Sequence, residues 1–284
     1  MFRPRSAMLT LYGDYARHRE GEIGIGSLIK LLSNFGLSEQ SIRSAVSRMC
    51  RANLFKVRHN GMRSYYSLTK AGFGLLDKGA QRIFERKRGN WDYVWSIVVY
   101  FIPEEKRKAR DRLRQELSWM GYGPLSMATW ISPHDLSKEV EELAEQLQIK
   151  EYVQVFQAKH QGFTDPKKII SRCWPLSRIH KRYASLIAEY HPKLEDYLRR
   201  LQDGKTIEPS WCFVERFKLV HEYRKLPFFD PDLPEELLPK NWLRSQAGAL
   251  FYEYYDLLAE KANEYFESVL SDYKAPQLTK VGTN

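Results

Sequence analysis

Along the first ninety positions, apolar residues recur at helical spacing in short blocks separated by turn signals. Residues 6–17 gather Met8, Leu9, Leu11 and Tyr12 on one side, behind Pro4, a residue suited to the first turn of a helix. Residues 27–33 repeat the pattern with Leu28, Ile29, Leu31 and Leu32. Asn34-Phe35-Gly36-Leu37 then supplies a tight turn, and Ser38 is a natural N-cap for a third helix over 38–51. Helix, glycine turn and capped helix in that order predict a helix-turn-helix.

The third helix carries the sharpest pattern. At 100° per residue, Ile42, Ala45, Val46 and Met49 share one narrow face, as a core-facing stripe should. Gln40, Arg43, Ser44, Ser47, Arg48 and Arg51 share the opposite face, and none of these six is a carboxylate. A merely solvated face usually mixes both signs and gains i,i+4 pairs. Arginine, glutamine and serine reach guanine, adenine and phosphate oxygens, so this face is expected to read DNA. Residues 54–68 follow as two alternating strands, expected to turn at Asn60-Gly61. Lys56, Arg58, His59 and Arg63 surround that turn, where a wing would meet the DNA backbone or minor groove, although His59 alone could be a plain turn residue. Thr69 caps a further helix whose Phe73, Leu75, Leu76, Ile83 and Phe84 are expected to pack back on the bundle, before a basic linker at 86–90.

The remainder changes character twice. Residues 95–101, 123–131 and 152–157 read as strands, and 104–120 and 136–147 as helices, the alternation of a small ferredoxin-like α/β domain without a glycine-rich phosphate loop. Beyond residue 163 the pattern is helical, over 169–190, 194–201, 210–223 and 242–270. The proline-rich, acidic stretch 226–239 is expected to be an ordered loop or a kinked connection, and the tail after 275 to fray. The expected fold class is therefore α+β and multidomain. It comprises a winged helix-turn-helix at 1–89, a ferredoxin-like α/β domain at 90–162, and a helical effector and dimerisation domain at 163–284.

Charge sharpens this division. Residues 1–90 hold 17 of the 45 lysines and arginines but only 6 of the 35 aspartates and glutamates, so the whole +10 surplus lies in the first third. A polyanion suits such a block, either nucleic acid or an anionic membrane surface. The helix-turn-helix order and the hairpin favour double-stranded DNA. The longest strongly apolar run, residues 97–102, is far short of the ~20 needed to span a bilayer, and the N-terminus lacks an apolar signal segment. A soluble cytoplasmic protein is expected. Cys50, Cys173 and Cys212 have no zinc-ligand spacing and read as reduced thiols; neither a metal site nor a cofactor is expected.

Five motifs carry a family resemblance across nearly the whole chain: RSAMLTLYGDY at 5–15, SIRSAVSRM at 41–49, RDRLRQELSWMGYG at 110–123, WISP at 130–133, and the block HEYRK, DPDLP and LLPKNW between 221 and 242. With these, the chain resembles the phenylacetic acid degradation repressor family, PaaX. The resemblance implies a homodimeric repressor on palindromic operators of aromatic-acid catabolic genes, released when an aryl-acetyl-coenzyme A such as phenylacetyl-CoA binds. A different acyl-CoA, or activation instead of repression, would suit the same fold. The resemblance also implies that the central domain looks like the small CRISPR-associated ferredoxin-like nuclease. That nuclease carries a metal-binding aspartate after a tyrosine at the end of its first strand, where this chain has Tyr100-Phe101. Hydrolytic chemistry is not expected there.

Catalysis has little to build on elsewhere. His221-Glu222 imitates a base with its orienting acid, but adjacent helical residues point ~100° apart, and no nucleophile accompanies them. For the effector, Trp211, Phe213, Phe217, His221, Arg224 and Lys225 combine rings and cations suited to adenine, aryl and phosphate groups. The same stretch reads equally well as a structural seam, with Asp230 and Asp232 as ion-pair partners.

Overall fold

The computed structural model describes residues 2–16, 21–84, 91–163 and 165–272. Helix α1 (Pro4–Leu11) begins with Pro4 in its first turn and continues as a wide π-type turn over Tyr12–Ala16. Ala7, Met8, Leu11 and Tyr12 are fully buried, as their spacing demands. Two-residue strand β1 (Ile23–Gly24) precedes α2 (Ile25–Ser33), and the turn over Asn34 to Leu37 leads into α3 (Glu39–Arg51). Ser38 caps α3, its Oγ accepting from the Ser41 amide at 3.3 Å.

Strands β2 (Phe55–Asn60) and β3 (Arg63–Leu68) form the expected hairpin, with β1 added on the far edge in the order β1-β3-β2. The register pairs Asn60 with Arg63, so the turn residues are Gly61 and Met62, one position later than expected. Gly61 takes φ +58°, which a tight hairpin requires at its first central position. Helix α4 (Lys70–Phe84) is capped by Thr69, whose Oγ1 accepts from the Gly72 amide at 3.0 Å. A Cβ on Gly72 would lie 2.2 Å from the Leu54 carbonyl oxygen, so the start of α4 fits against the start of the hairpin only with glycine. Leu75, expected inside, is exposed, while Phe73 and Leu76 are partly covered; the side chains of Ile83 and Phe84 and the linker at 86–90 lie outside the described residues.

The chain divides into two compact units, neither of them continuous in sequence. Met1–Phe84, Glu189–Tyr223 and Ala249–Asn284 make the first; Glu85–Ala188 and Arg224–Gly248 make the second.

In the second unit, β4 (Val94–Tyr100), β5 (Gly123–Pro124), β6 (Thr129–Ser132) and β7 (Val153–Lys159) form one antiparallel sheet in the order β5-β6-β4-β7. Alternation along β4 splits the core into two layers. Val98 and Tyr100 face Leu113 and Leu117 of α5 (Arg107–Met120) and Val140 and Leu143 of α6 (Ser137–Gln146). Trp95 faces the other way, with Ile131, onto Ile170, Trp174, Leu233 and Leu237.

The helical region departs from expectation at its prolines. The predicted helix at 169–190 is two helices, α7 (Pro166–Cys173) and α8 (Leu176–Gln202). The break falls at Trp174, held extended by Pro175, since a residue before proline is pushed out of the helical region. Pro192, in the gap between the helices expected at 169–190 and 194–201, lies inside α8, whose buried Tyr190, Leu194 and Tyr197 hold the helix across the missing hydrogen bond. Helix α9 (Pro209–Tyr223) follows, then the short α10 (Leu226–Phe229), a 3-10 turn at Glu235–Leu237, and α11 (Arg244–Asp272). The stretch 226–239 is thus an ordered connection. Arg244 pins it. Its Nη2 and Nε donate to the two carboxylate oxygens of buried Asp230 at 2.6 and 2.7 Å, and its Nη1 donates to Asp232 at 3.0 Å.

Candidate nucleic-acid interface

Helix α3 divides as the period required. Ile42, Ala45, Val46 and Met49 are buried toward α1 and α2, while Gln40, Arg43, Ser44, Ser47, Arg48 and Arg51 are exposed. The exposed side has one carboxylate that the sequence reading passed over. Glu39, at the boundary of the two faces, accepts from Arg43 Nε at 2.8 Å. It sits four residues before Arg43, the i,i+4 spacing that joins opposite charges on a helix.

The hairpin repeats this arrangement. Arg58 donates from Nε and Nη2 to both carboxylate oxygens of Glu22, with Nε at 2.9 Å from Oε1, and its guanidinium lies 4.9 Å from the Tyr65 ring centroid. The hydrogen bonds from Arg58 hold the Glu22 carboxyl below its ordinary range. Glu22, Lys56, Val57, Arg58 and Ser67 line an open groove on this sheet. Lys56 and Arg63 are exposed, and His59 Nδ1 lies 3.1 Å from Ser64 Oγ across the hairpin. Met62 at the turn is fully exposed.

What holds these elements in place comes largely from the distant C-terminal helices. Phe35, in the turn between α2 and α3, stacks on Phe217 of α9 at 4.0 Å, and Phe2 packs on both Phe35 and Phe217. Thr10 Oγ1 lies 2.8 Å from His221 Nδ1, both buried. Asp14 accepts from Arg216 Nη2 at 3.0 Å and from the Tyr255 hydroxyl at 2.7 Å, with the guanidinium 4.0 Å from the Tyr255 ring centroid. Arg216 and Asp14 are both almost wholly buried, so each charge is sustained by the other. In the same π-type turn as Asp14, the Tyr12 hydroxyl donates to the Tyr66 carbonyl at 2.8 Å, tying this segment to the hairpin.

The residues expected to meet an effector do not all face the same way. Phe213, Phe217 and His221 are inside the core of the first unit. Trp211 is half-buried and stacks on Tyr197 with the rings 7° from parallel. Arg224 and Lys225 are partly exposed and belong to the second unit. Asp230 and Asp232 both pair with Arg244, and Asp230 also accepts from the Tyr183 hydroxyl at 2.5 Å; the signal of Arg244 is its place at the start of a helix shortly after an acidic loop.

Three family models match consecutive stretches of the chain: a PaaX-like protein model at residues 3–72, the PaaX protein central Cas2-like domain at 88–170, and the PaaX-like protein C-terminal domain at 174–268. A curated relative, transcriptional repressor PaaX of Escherichia coli strain K12, is 30% identical over 95% of this chain and 86% of its own length. The chain belongs to the PaaX family. That family is one of regulators and not of enzymes, in line with the sequence expectation. A solved structure, an uncharacterized protein from Mycobacterium tuberculosis, shares the fold with a TM-score of 0.61 at 20% identity, covering 93% of this PaaX-family chain and 98% of the other. Among the described residues, none of the helices is long and apolar enough to cross a membrane, and no group of three or more potential ligands could hold a metal ion.

Proposed function

We propose that this PaaX-family chain is a transcriptional repressor that reads operator DNA with α3 as the recognition helix of a winged helix-turn-helix and the β2-β3 hairpin as its wing. The observation that carries this reading is the exposed face of α3: three arginines, two serines and a glutamine on a capped helix whose opposite face is wholly buried. Arginine and glutamine there can make bidentate contacts to base edges, and serine can meet phosphate oxygens. The sheet order of the second unit, with α5 between β4 and β5 and α6 between β6 and β7, supports a ferredoxin-like reading of the central segment. The modules proposed are 1–89 for DNA, 90–162 for the α/β domain and 163–284 for effector response and assembly.

The chain is proposed to act as a homodimer in the cytoplasm, because one winged helix covers too little DNA for strong specificity and two copies would read symmetric half-sites. The family resemblance supports the aromatic-acid, phenylacetate-type genes as targets and phenylacetyl-CoA or a related acyl-CoA as the releasing effector. With Phe217 and His221 enclosed, the phosphates of such a ligand fall to Arg224 and Lys225, which retain exposure.

The test is footprinting of the purified full-length protein on the DNA upstream of its own gene and of neighbouring catabolic genes, with light scattering in parallel. A protected, two-fold symmetric site that is lost on adding phenylacetyl-CoA is expected. Absence of any sequence-specific footprint would overturn the repressor reading, and a one-protein footprint from a strictly monomeric species would overturn the dimer.

A further inference from the structure

Two of the arginines assigned to DNA are occupied in the protein alone, each by a carboxylate of its own. Glu39 holds Arg43 on the recognition helix, and Glu22 holds Arg58 on the hairpin. Neither pair is buried. Arg43 and Glu39 keep 54% and 59% of their side-chain surface, and Arg58 and Glu22 keep 55% and 29%. None of the four is needed for the core, and a pair this exposed contributes little stability. The carboxylates nevertheless stand on the face that must approach a polyanion.

We propose that Glu22 and Glu39 are specificity-determining residues, which hold Arg58 and Arg43 in ion pairs that random DNA does not break and cognate DNA does. This rests on the DNA-binding reading above. The physical basis is a competition. A phosphate offers arginine little that the carboxylate does not already give, and it brings that carboxylate near the negatively charged backbone. On non-cognate sequence the two arginines therefore stay paired, and each acid repels the duplex. A guanine edge correctly placed offers Arg43 two parallel hydrogen bonds in a low-dielectric groove, which displaces Glu39, and a narrow minor groove beneath the hairpin offers Arg58 a concentrated negative potential, set by sequence, that displaces Glu22. The partners left for the backbone on any sequence are other exposed cations, Arg51 and Lys56 among them. The cost of the carboxylates thus falls mainly on binding to the wrong sequence, the repulsive element that specificity needs beside the attractive one.

The experiment uses the full-length protein and a duplex that it selects from a randomised library, compared with a scrambled duplex of the same composition. Glu39→Gln and Glu22→Gln remove the charge while keeping the side-chain shape. Each is expected to tighten scrambled-duplex binding about three- to tenfold, to steepen its salt dependence, and to change selected-duplex binding less than twofold. Arg48→Ala serves as a control for the interface and should weaken the selected duplex. If both glutamine variants keep the wild-type ratio of the two affinities, or tighten both duplexes equally, while Arg48→Ala weakens the selected one, the carboxylates have no role in specificity and the DNA-binding reading survives. If no duplex is selected from the library, the DNA-binding reading falls and this proposal with it; if Arg48→Ala binds both duplexes as the wild type does, the assignment of α3 as the reading helix falls, and the role of Glu39 with it. Matching thermal unfolding of the two variants and the wild type would show that folding is not what moved, and Glu39→Gln, on an exposed helix surface, keeps the test available should Glu22→Gln fold poorly.

Discussion

Helices α3 and α9 lie in the same compact unit, and each carries most of one set of candidate residues, for DNA and for an effector, but they are built on opposite plans. Helix α3 buries four residues on one stripe and leaves the rest exposed or, for Ser41 and Cys50, half-buried, so core and surface positions are cleanly divided. Helix α9 buries residues around most of its circumference, including Glu215, Arg216 and His221, whose charges and rings elsewhere would suggest a binding site. A polar side chain on an amphipathic helix announces function by its direction, whereas on an enclosed helix it has been taken up by internal hydrogen bonds and ion pairs.

The severest way to break this comparison is to remove α9 and α11 altogether. A fragment ending at residue 89 keeps every residue proposed to read DNA but loses Phe213, Phe217, Arg216 and Tyr255 from its interior. It is expected to lack a cooperative urea transition and to bind DNA far more weakly than the full chain. A sharp transition, with nonspecific binding intact, would show that α9 merely leans on a self-sufficient domain.

A subtler break is Phe217→Ala. Phe217 is fully buried and stacked on Phe35, so truncation should cost about 3–5 kcal/mol in denaturant unfolding. DNA affinity measured well below the transition should fall with it, because the turn that Phe35 occupies leads directly into α3. A full loss of stability without any change in affinity of the folded fraction would separate packing from positioning. On α3 the expectation reverses. Arg48→Ala should leave unfolding within ~0.5 kcal/mol of the wild type while costing about 1–3 kcal/mol of discrimination, if Arg48 reads a base edge. Equal losses on specific and random duplexes would assign it to phosphate.

These outcomes also explain what was legible. The stripe Ile42, Ala45, Val46 and Met49, the Ser38 cap and the hairpin register to within one residue follow from local rules, and the structure agrees with them. Strand β1 is two residues long, too short to display a period, and only its pairing with β3 reveals it. Between the two readings of Phe217 and His221, effector contacts or a structural seam, local sequence could not decide, because their packing partners lie far away in the chain: Thr10 is 211 residues from His221. No local pattern encodes such a distance. Pro175 and Pro192 make the same point within one region, since an isolated proline does not say whether surrounding tertiary packing will carry a helix across it.

The smallest expected effect concerns acid. The Glu22 carboxyl has its pKa lowered by Arg58, so the pair stabilises the folded state at any pH above the ordinary glutamate range. That contribution is lost as pH falls through the depressed folded value. With Arg58 exposed and Glu22 partly so, solvent screening keeps it small. Comparing the pH dependence of urea midpoints between wild type and Glu22→Gln between pH 6 and pH 3 checks it; a larger difference at pH 6 than at pH 3 is expected, and the reverse order would contradict the pairing.

The bonds from Asp14 to Arg216 and Tyr255 span 202 and 241 residues of chain, and Ser27 reaches the Val269 carbonyl across 242. During synthesis, the first helix must therefore wait for nearly the entire polypeptide before its buried aspartate meets its partners. At ~5–20 residues per second, that delay is on the order of 10–50 seconds, and contacts of such long range also fold slowly once the chain is free. A nascent or prematurely terminated chain, although it already carries every arginine of the reading head, lacks the frame that would set them on a groove. On the proposed reading, incomplete copies would bind operators poorly, so only finished molecules would silence a gene.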